Sequence, residues 1–159
     1  MAGQLQRKIA IVTGASNGIG RGIAELFAAE GAKTVLVARR AELLDEVAAG
    51  IKAKGGEVLP LPADLTKEDA IIALFKKTVE TFGRLDVLVN NAGIATHKTT
   101  EDITLDYWNE ALAINITAPF LCAREAIRIM KAQQPRAGAS STSAAFRPRP
   151  RGRIRCPTR

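Results

Sequence analysis

Ile9-Ala10-Ile11-Val12-Thr13 followed by Gly14-Ala15-Ser16-Asn17-Gly18-Ile19-Gly20 is the stretch that decides the fold. The first five residues are mostly β-branched and apolar, as a buried strand requires, and the glycines then break the run. From Gly18 to Glu30 the apolar residues Ile19, Ile23, Leu26 and Phe27 return at helical spacing, with Gly31 as the helix-ending glycine. A glycine-rich turn between a strand and a helix gathers backbone N–H groups at the positive end of the helix dipole, which suits a pyrophosphate. Gly14, Ser16, Asn17, Gly18, Ile19 and Gly20 are therefore candidate binding residues. Taken without its flanks, the same turn is also an ordinary structural one.

Outward from this turn the pattern repeats. Thr34 to Ala38 is a second strand, Ala41 to Lys54 a helix ended by Gly55-Gly56, and Val58 to Leu61 a third strand. Lys67 to Phe82 is a helix, Leu85 to Asn90 a fourth strand, and Leu105 to Lys131 a long helical pattern interrupted by Pro119. Nearly all-apolar strands alternating with helices predict an α/β fold: a Rossmann-type, doubly wound parallel sheet buried on both faces. After Gln134 the alternation stops. No fifth strand is predicted, so the sheet is expected to be incomplete after the fourth strand and the long helical region. The expected organisation is a partial dinucleotide-binding domain over 1–134 and a disordered Arg/Pro-rich tail over 135–159.

The chain has 159 residues, 47% hydrophobic and 25% charged, which fits one domain with a normal core. No apolar run reaches the length of a membrane span, and the first ten residues hold no signal-peptide core, so a soluble, cytoplasmic protein is expected. Two cysteines, Cys122 and Cys156, without paired spacing exclude a disulfide framework and a zinc site, and no metal is expected. The net charge of +7 is concentrated in the tail, where residues 137–159 hold six arginines and no acid; positions 1–136 hold 17 basic and 16 acidic residues. Arginines without interleaved aromatics give only nonspecific electrostatics, so no specific nucleic-acid partner is expected.

In a dinucleotide-binding unit the residue about 20 positions beyond the glycines, at the end of the second strand, meets the adenosine ribose. Here Val35-Leu36-Val37-Ala38 ends in Arg39-Arg40 rather than an acid. A guanidinium suits a 2′-phosphate, which favours NADP over NAD. The other reading is two surface arginines ahead of a helix.

Thr13-Gly14-x-x-x-Gly18-Ile19-Gly20, Asp64-Leu65 after the third strand, Asn90-Asn91-Ala92-Gly93 after the fourth, and Asn115 in the following helix together resemble the short-chain dehydrogenase/reductase family. The match covers residues 5 to about 134, roughly the N-terminal half of a family member. The resemblance implies that Asp64 and Leu65 contact the adenine, that Asn91, Ala92 and Gly93 line the cofactor and stabilise the central strand, and that Asn115 supports an active-site water chain. It also implies a small-molecule alcohol or carbonyl substrate and a homo-oligomeric full-length form. Asp64 as a helix-start acid and Asn115 as a kink residue remain open beside these roles.

Hydride transfer at a carbonyl needs a proton donor beside it, which the family supplies from a tyrosine held by a lysine, with a serine orienting the carbonyl. The only tyrosine here is Tyr107, and Ala111, not lysine, lies four positions on. Ser140, Ser141 and Ser143 lie near the expected strand, in a context without strand character. The tail has the composition of a GC-rich gene read out of frame. Gly138 to Phe146 can be encoded so that reading from the third base gives Arg-Ile-Ile-Asn-Ile-Gly-Ser-Ile. In that frame Arg155-Cys156-Pro157-Thr158 permits Leu-Pro-Tyr-Thr, a tyrosine codon 13 codons after the serine codon. The expected function is NADP-dependent oxidoreduction of an alcohol and carbonyl pair, with the chain as written inactive. The alternative is a catalytically dead dinucleotide-binding module.

Overall fold

The computed structural model describes residues 3–96 and 98–133, and the backbone of 139–142. Five parallel strands, β1 (Ile9–Thr13), β2 (Lys33–Ala38), β3 (Val58–Pro62), β4 (Val87–Asn90) and β5 (Ala139–Thr142), form one sheet in the order β3-β2-β1-β4-β5. The helices are α1 (Gly18–Ala29), α2 (Ala41–Ala53), α3 (Glu68–Phe82), α4 (Leu105–Leu112) and α5 (Ala118–Ala132). The chain steps outward from β1 to β3, then crosses back to place β4 on the other side of β1. This is the doubly wound sheet expected from the alternation, and its reversal of direction falls between β1 and β4.

Burial of the strands on both faces follows from their side chains. Ile9, Ile11, Val35 and Val37 point to one side and pack with Ile71, Leu74 and Phe75 of α3 and Leu121, Cys122 and Ala126 of α5. Val12 and Leu36 point to the other, against Ala24 and Ala28 of α1 and Leu44, Val47 and Ile51 of α2. Each fully buried Ile, Leu, Val or Phe contributes about 1.5–3 kcal/mol relative to exposure. At the strand entry, the carboxylate of the buried Asp86 accepts the Ile9 N–H at 3.0 Å and a fork from Arg84, with Nη2 at 2.6 Å.

Three expectations are corrected. The first is the packed face of α1, where Ile19 and Leu26 are 77% and 57% exposed and the buried residues are Gly20, Ala24 and Ala28. Only Ile23 and Phe27 of the predicted face pack against the core. Small residues at four-residue spacing let the helix axis lie close to the sheet, which turns the larger side chains on either flank outward.

The second correction concerns the long helical pattern. It breaks before Pro119, at a wide turn over Ala113–Thr117 in which the Ala118 N–H reaches back five residues to the Ala113 carbonyl. Proline has no N–H and crowds the carbonyl four residues earlier, that of Asn115, so the backbone widens just ahead of it. Thr104 starts α4 by accepting the Tyr107 N–H on its hydroxyl, at 3.3 Å.

The third is the absent fifth strand. Ala139–Thr142 pairs with β4, Val87 opposite Ala139 through Asn90 opposite Thr142. Ala-Ser-Ser-Thr carries no hydrophobic alternation; the exposed edge of β4 supplies the hydrogen-bond template instead. The rest of the segment expected to be disordered, including Ser143 and Cys156, lies outside the described residues.

Candidate functional site

At the carboxyl ends of β1, β2 and β4, where the strand order reverses, lies a cleft of about 550 Å³. Clefts of this size and position are the usual ligand sites of open parallel sheets. Its walls are the turn after β1 (Gly14, Ser16, Asn17, Gly18, Ile19), the end of β2 (Ala38, Arg39, Arg40), the exit of β3 (Ala63, Leu65), the exit of β4 (Asn91, Ala92, Gly93, Ile94) and Ile114 from the wide turn.

The turn after β1 is set by its glycines for different reasons. Gly14 has φ +66° and Gly18 φ +52°, left-handed conformations that side chains disfavour. Gly20 is needed for space, because a Cβ there would run into the Gly14 carbonyl and the Asn91 side-chain amide. Helix α1 begins at Asn17 without a side-chain cap and without an acid in its first turn. Its first N–H groups and the positive end of its dipole therefore face the cleft unneutralised, an arrangement that fits an anionic group.

Two strand ends are tied beneath the cleft. The buried Thr13 hydroxyl donates to the Val89 carbonyl at 3.2 Å and accepts the N–H groups of Asn91 and Ala92, both at 3.0 Å. The Asn91 side chain donates to the carbonyls of Thr13 and Gly14, at 3.1 and 3.3 Å. Beyond them, Asn115 pairs with the backbone of Ile94 as a second peptide would: Oδ1 accepts its N–H and Nδ2 donates to its carbonyl, each at 2.9 Å. Gln133 does the same with Leu85, accepting at 3.1 Å and donating at 2.7 Å.

Of the predicted cofactor-binding residues, all line the cleft except Gly20, which packs under the turn, and Asp64. The Asp64 carboxylate accepts from the Thr66 N–H at 3.0 Å and its hydroxyl at 2.8 Å, just ahead of α3. Those two bonds, aided by the charges of Arg39 and Lys67, hold its carboxyl below the usual aspartate range. Asp64 thus fixes the turn that presents Leu65, combining the helix-start reading with the cleft. Asn115 stands behind Ile94 rather than in the cleft. Arg39 reaches across to Glu110 of α4, with Nη1 3.6 Å from Oε1. Among the described residues no acid lines the cleft, and Arg39 and Arg40 make its β2 side cationic.

Sequence reasoning missed Ala38, Ala63, Ile94 and Ile114 as lining residues and gave Glu110 no part. Ile94 and Ile114 directly flank residues it did select, Gly93 and Asn115, so proximity to the motifs was the available signal. Glu110 gave none, since its partner is distant in sequence.

The sequence profile of the short chain dehydrogenase family matches residues 8–140. A 3beta-hydroxysteroid dehydrogenase of Mediterraneibacter gnavus is 41% identical over 138 residues, which are 86% of this chain and 49% of that protein. A 3-oxoacyl-[acyl-carrier-protein] reductase of Synechocystis is 38% identical over 131 residues, 82% of this chain and 53% of that one. The chain spans about half the length of these curated relatives. Among solved structures, a metagenomic short-chain oxidoreductase in complex with NADP superposes with a TM-score of 0.82 at 37% identity, covering 87% of this chain and 62% of that one.

Proposed function

The chain belongs to the short chain dehydrogenase family, and from that premise we propose that its cleft binds NADP in preference to NAD. The carrying observation is Arg39 and Arg40 at the end of β2, on the wall of a cleft that no acid lines among the described residues. When bound, the nicotinamide cofactor supplies or takes up the hydride of an alcohol and carbonyl interconversion. The uncapped start of α1 holds the pyrophosphate through the backbone between Gly14 and Gly20. Arg39 takes the 2′-phosphate, Leu65 packs on the adenine side, and Asn91, Ala92 and Gly93 line the remaining wall. Asn115 is a positioning residue. Its side chain is engaged with Ile94, so support for a water chain comes through its backbone carbonyl, which Pro119 cannot bond.

The chain as written binds the cofactor without turning over, because its single tyrosine, Tyr107, has Ala111 four positions on and no lysine to hold a phenolic proton donor. That favours the reading of a dinucleotide-binding module for these 159 residues, whatever the activity of the relatives. The test is a titration with NADPH and NADH beside the Arg39→Asp variant. Loss of a partly exposed charge-assisted phosphate contact, on the order of 1.5–3 kcal/mol, is expected for NADPH only. Equal losses for the two cofactors would refute the assignment, and NADPH consumption with a panel of ketones would refute the inactivity.

A further inference from the structure

Arg39 and Glu110 lie 71 positions apart in sequence and meet at the mouth of the cleft, Nη1 to Oε1 at 3.6 Å, with side chains 59% and 45% exposed. Glu110 is on α4, one helical turn ahead of Ile114, which lines the cleft. The ion pair therefore runs from the β2 wall to the helical wall over the adenosine end proposed above. Arg40 lines the cleft beside it and makes no ion pair among the described residues.

Two consequences follow from charge alone. A 2′-phosphate must take the Arg39 guanidinium from a carboxylate that already holds it, and the released carboxylate then stays within a few ångströms of the incoming dianion. A ligand with a free 2′-hydroxyl meets neither cost. We propose that Glu110 is a specificity-determining residue that holds down the affinity for 2′-phosphorylated nucleotides by competing for Arg39. The proposal rests on the nucleotide reading of the cleft. It makes cofactor preference a balance between two residues on opposite walls, with Arg39 drawing the phosphate in and Glu110 resisting it.

The experiment compares adenosine 2′,5′-bisphosphate with AMP, two probes that differ only in the 2′-phosphate, by calorimetry on the full 159-residue chain. Glu110→Gln keeps the shape of the side chain and removes its charge. It should tighten the bisphosphate about fivefold at low ionic strength and leave AMP unchanged, the scale of an exposed ion pair. The gain should largely vanish in 0.5 M salt, where charges this exposed are screened over about 4 Å. Arg39→Gln should weaken the bisphosphate, and adding Glu110→Gln to it should restore less than the single substitution gains. Binding of AMP with no change, or a loss, of bisphosphate affinity in Glu110→Gln overturns this inference alone and leaves the cofactor reading standing. Absence of AMP and bisphosphate binding in all variants and the parent chain overturns the cofactor reading, and this inference with it.

Discussion

The Thr13 hydroxyl and the Asn91 side-chain amide each bond the backbone of the other's segment. Thr13 accepts the Asn91 N–H, and Asn91 Nδ2 donates to the Thr13 carbonyl. Neighbouring parallel strands are thereby joined past the point where β4 ends at Asn90, and the turn that forms the cleft floor is held by two side chains rather than by a ladder.

Thr13→Val keeps the shape and removes the acceptor for two N–H groups, those of Asn91 and Ala92. Both N–H groups are only part-buried, so each lost acceptor should cost about 1–2 kcal/mol, the lower part of the range for an unsatisfied donor, and a loss of about 2–4 kcal/mol is expected in urea unfolding. Thr13→Ser retains the hydroxyl and should lose less than half of that. Destabilisation by Thr13→Ser as large as that by Thr13→Val would show that packing of the methyl group counts for as much as the hydroxyl, against the primary role given to its hydrogen bonds.

Glycine-to-alanine substitutions two positions apart in α1 should have opposite signs. At Gly20 a methyl group meets the Gly14 carbonyl and the Asn91 amide, so Gly20→Ala should cost about 1–3 kcal/mol and deform the cleft floor. At Gly22 nothing lies within 4 Å of an added Cβ, and Gly22→Ala should stabilise by about 0.5–1 kcal/mol through helix propensity. Thermal melts of the two variants decide it.

Burial pushes the Cys122 thiol up to about 12, aided by the nearby charge of Glu125. In a Cys156→Ser background, alkylation of Cys122 at pH 8 should be slower in the native protein than in urea by at least about a hundredfold, because the thiolate is the nucleophile. The unfolded thiol loses its proton near 9.0 while the folded one keeps it. Its contribution is therefore full below pH 9 and is lost as pH rises from about 9 toward 12. Unfolding free energies measured between pH 8 and 10 should fall more steeply for this protein than for its Cys122→Ala variant.

The sheet and the turn were legible because their signals are local: buried strands are runs of apolar residues, and Gly14, Gly18 and Gly20 sit where a strand gives way to a helix. The cleft followed from them, since residues at the carboxyl ends of parallel strands share one edge. What was hidden is what depends on partners. Ala139–Thr142 is a strand because β4 offers an edge, and nothing in Ala-Ser-Ser-Thr announces it. Ile19 and Leu26 match the helical period yet face outward, because Gly20, Ala24 and Ala28 bring α1 closer than a face of large residues would allow. Pro119 marked an interruption, but the widening falls on the residues before it. Asn115 drew notice by its place among the motifs, whereas its bond to Ile94, like that of Arg39 to Glu110, exists only in three dimensions.

The paired amides of Asn115 and Gln133 bear on which changes of chain length the protein can absorb. Each fits one peptide, at Ile94 beyond β4 and at Leu85 before it, so the helical arm is pinned to a single strand at two points. Inserting or deleting one residue between them would rotate one amide by about 100° about the helix axis, away from its peptide. That stretch has no slack for such an event, and the length of the arm is dictated by the length of the strand it spans.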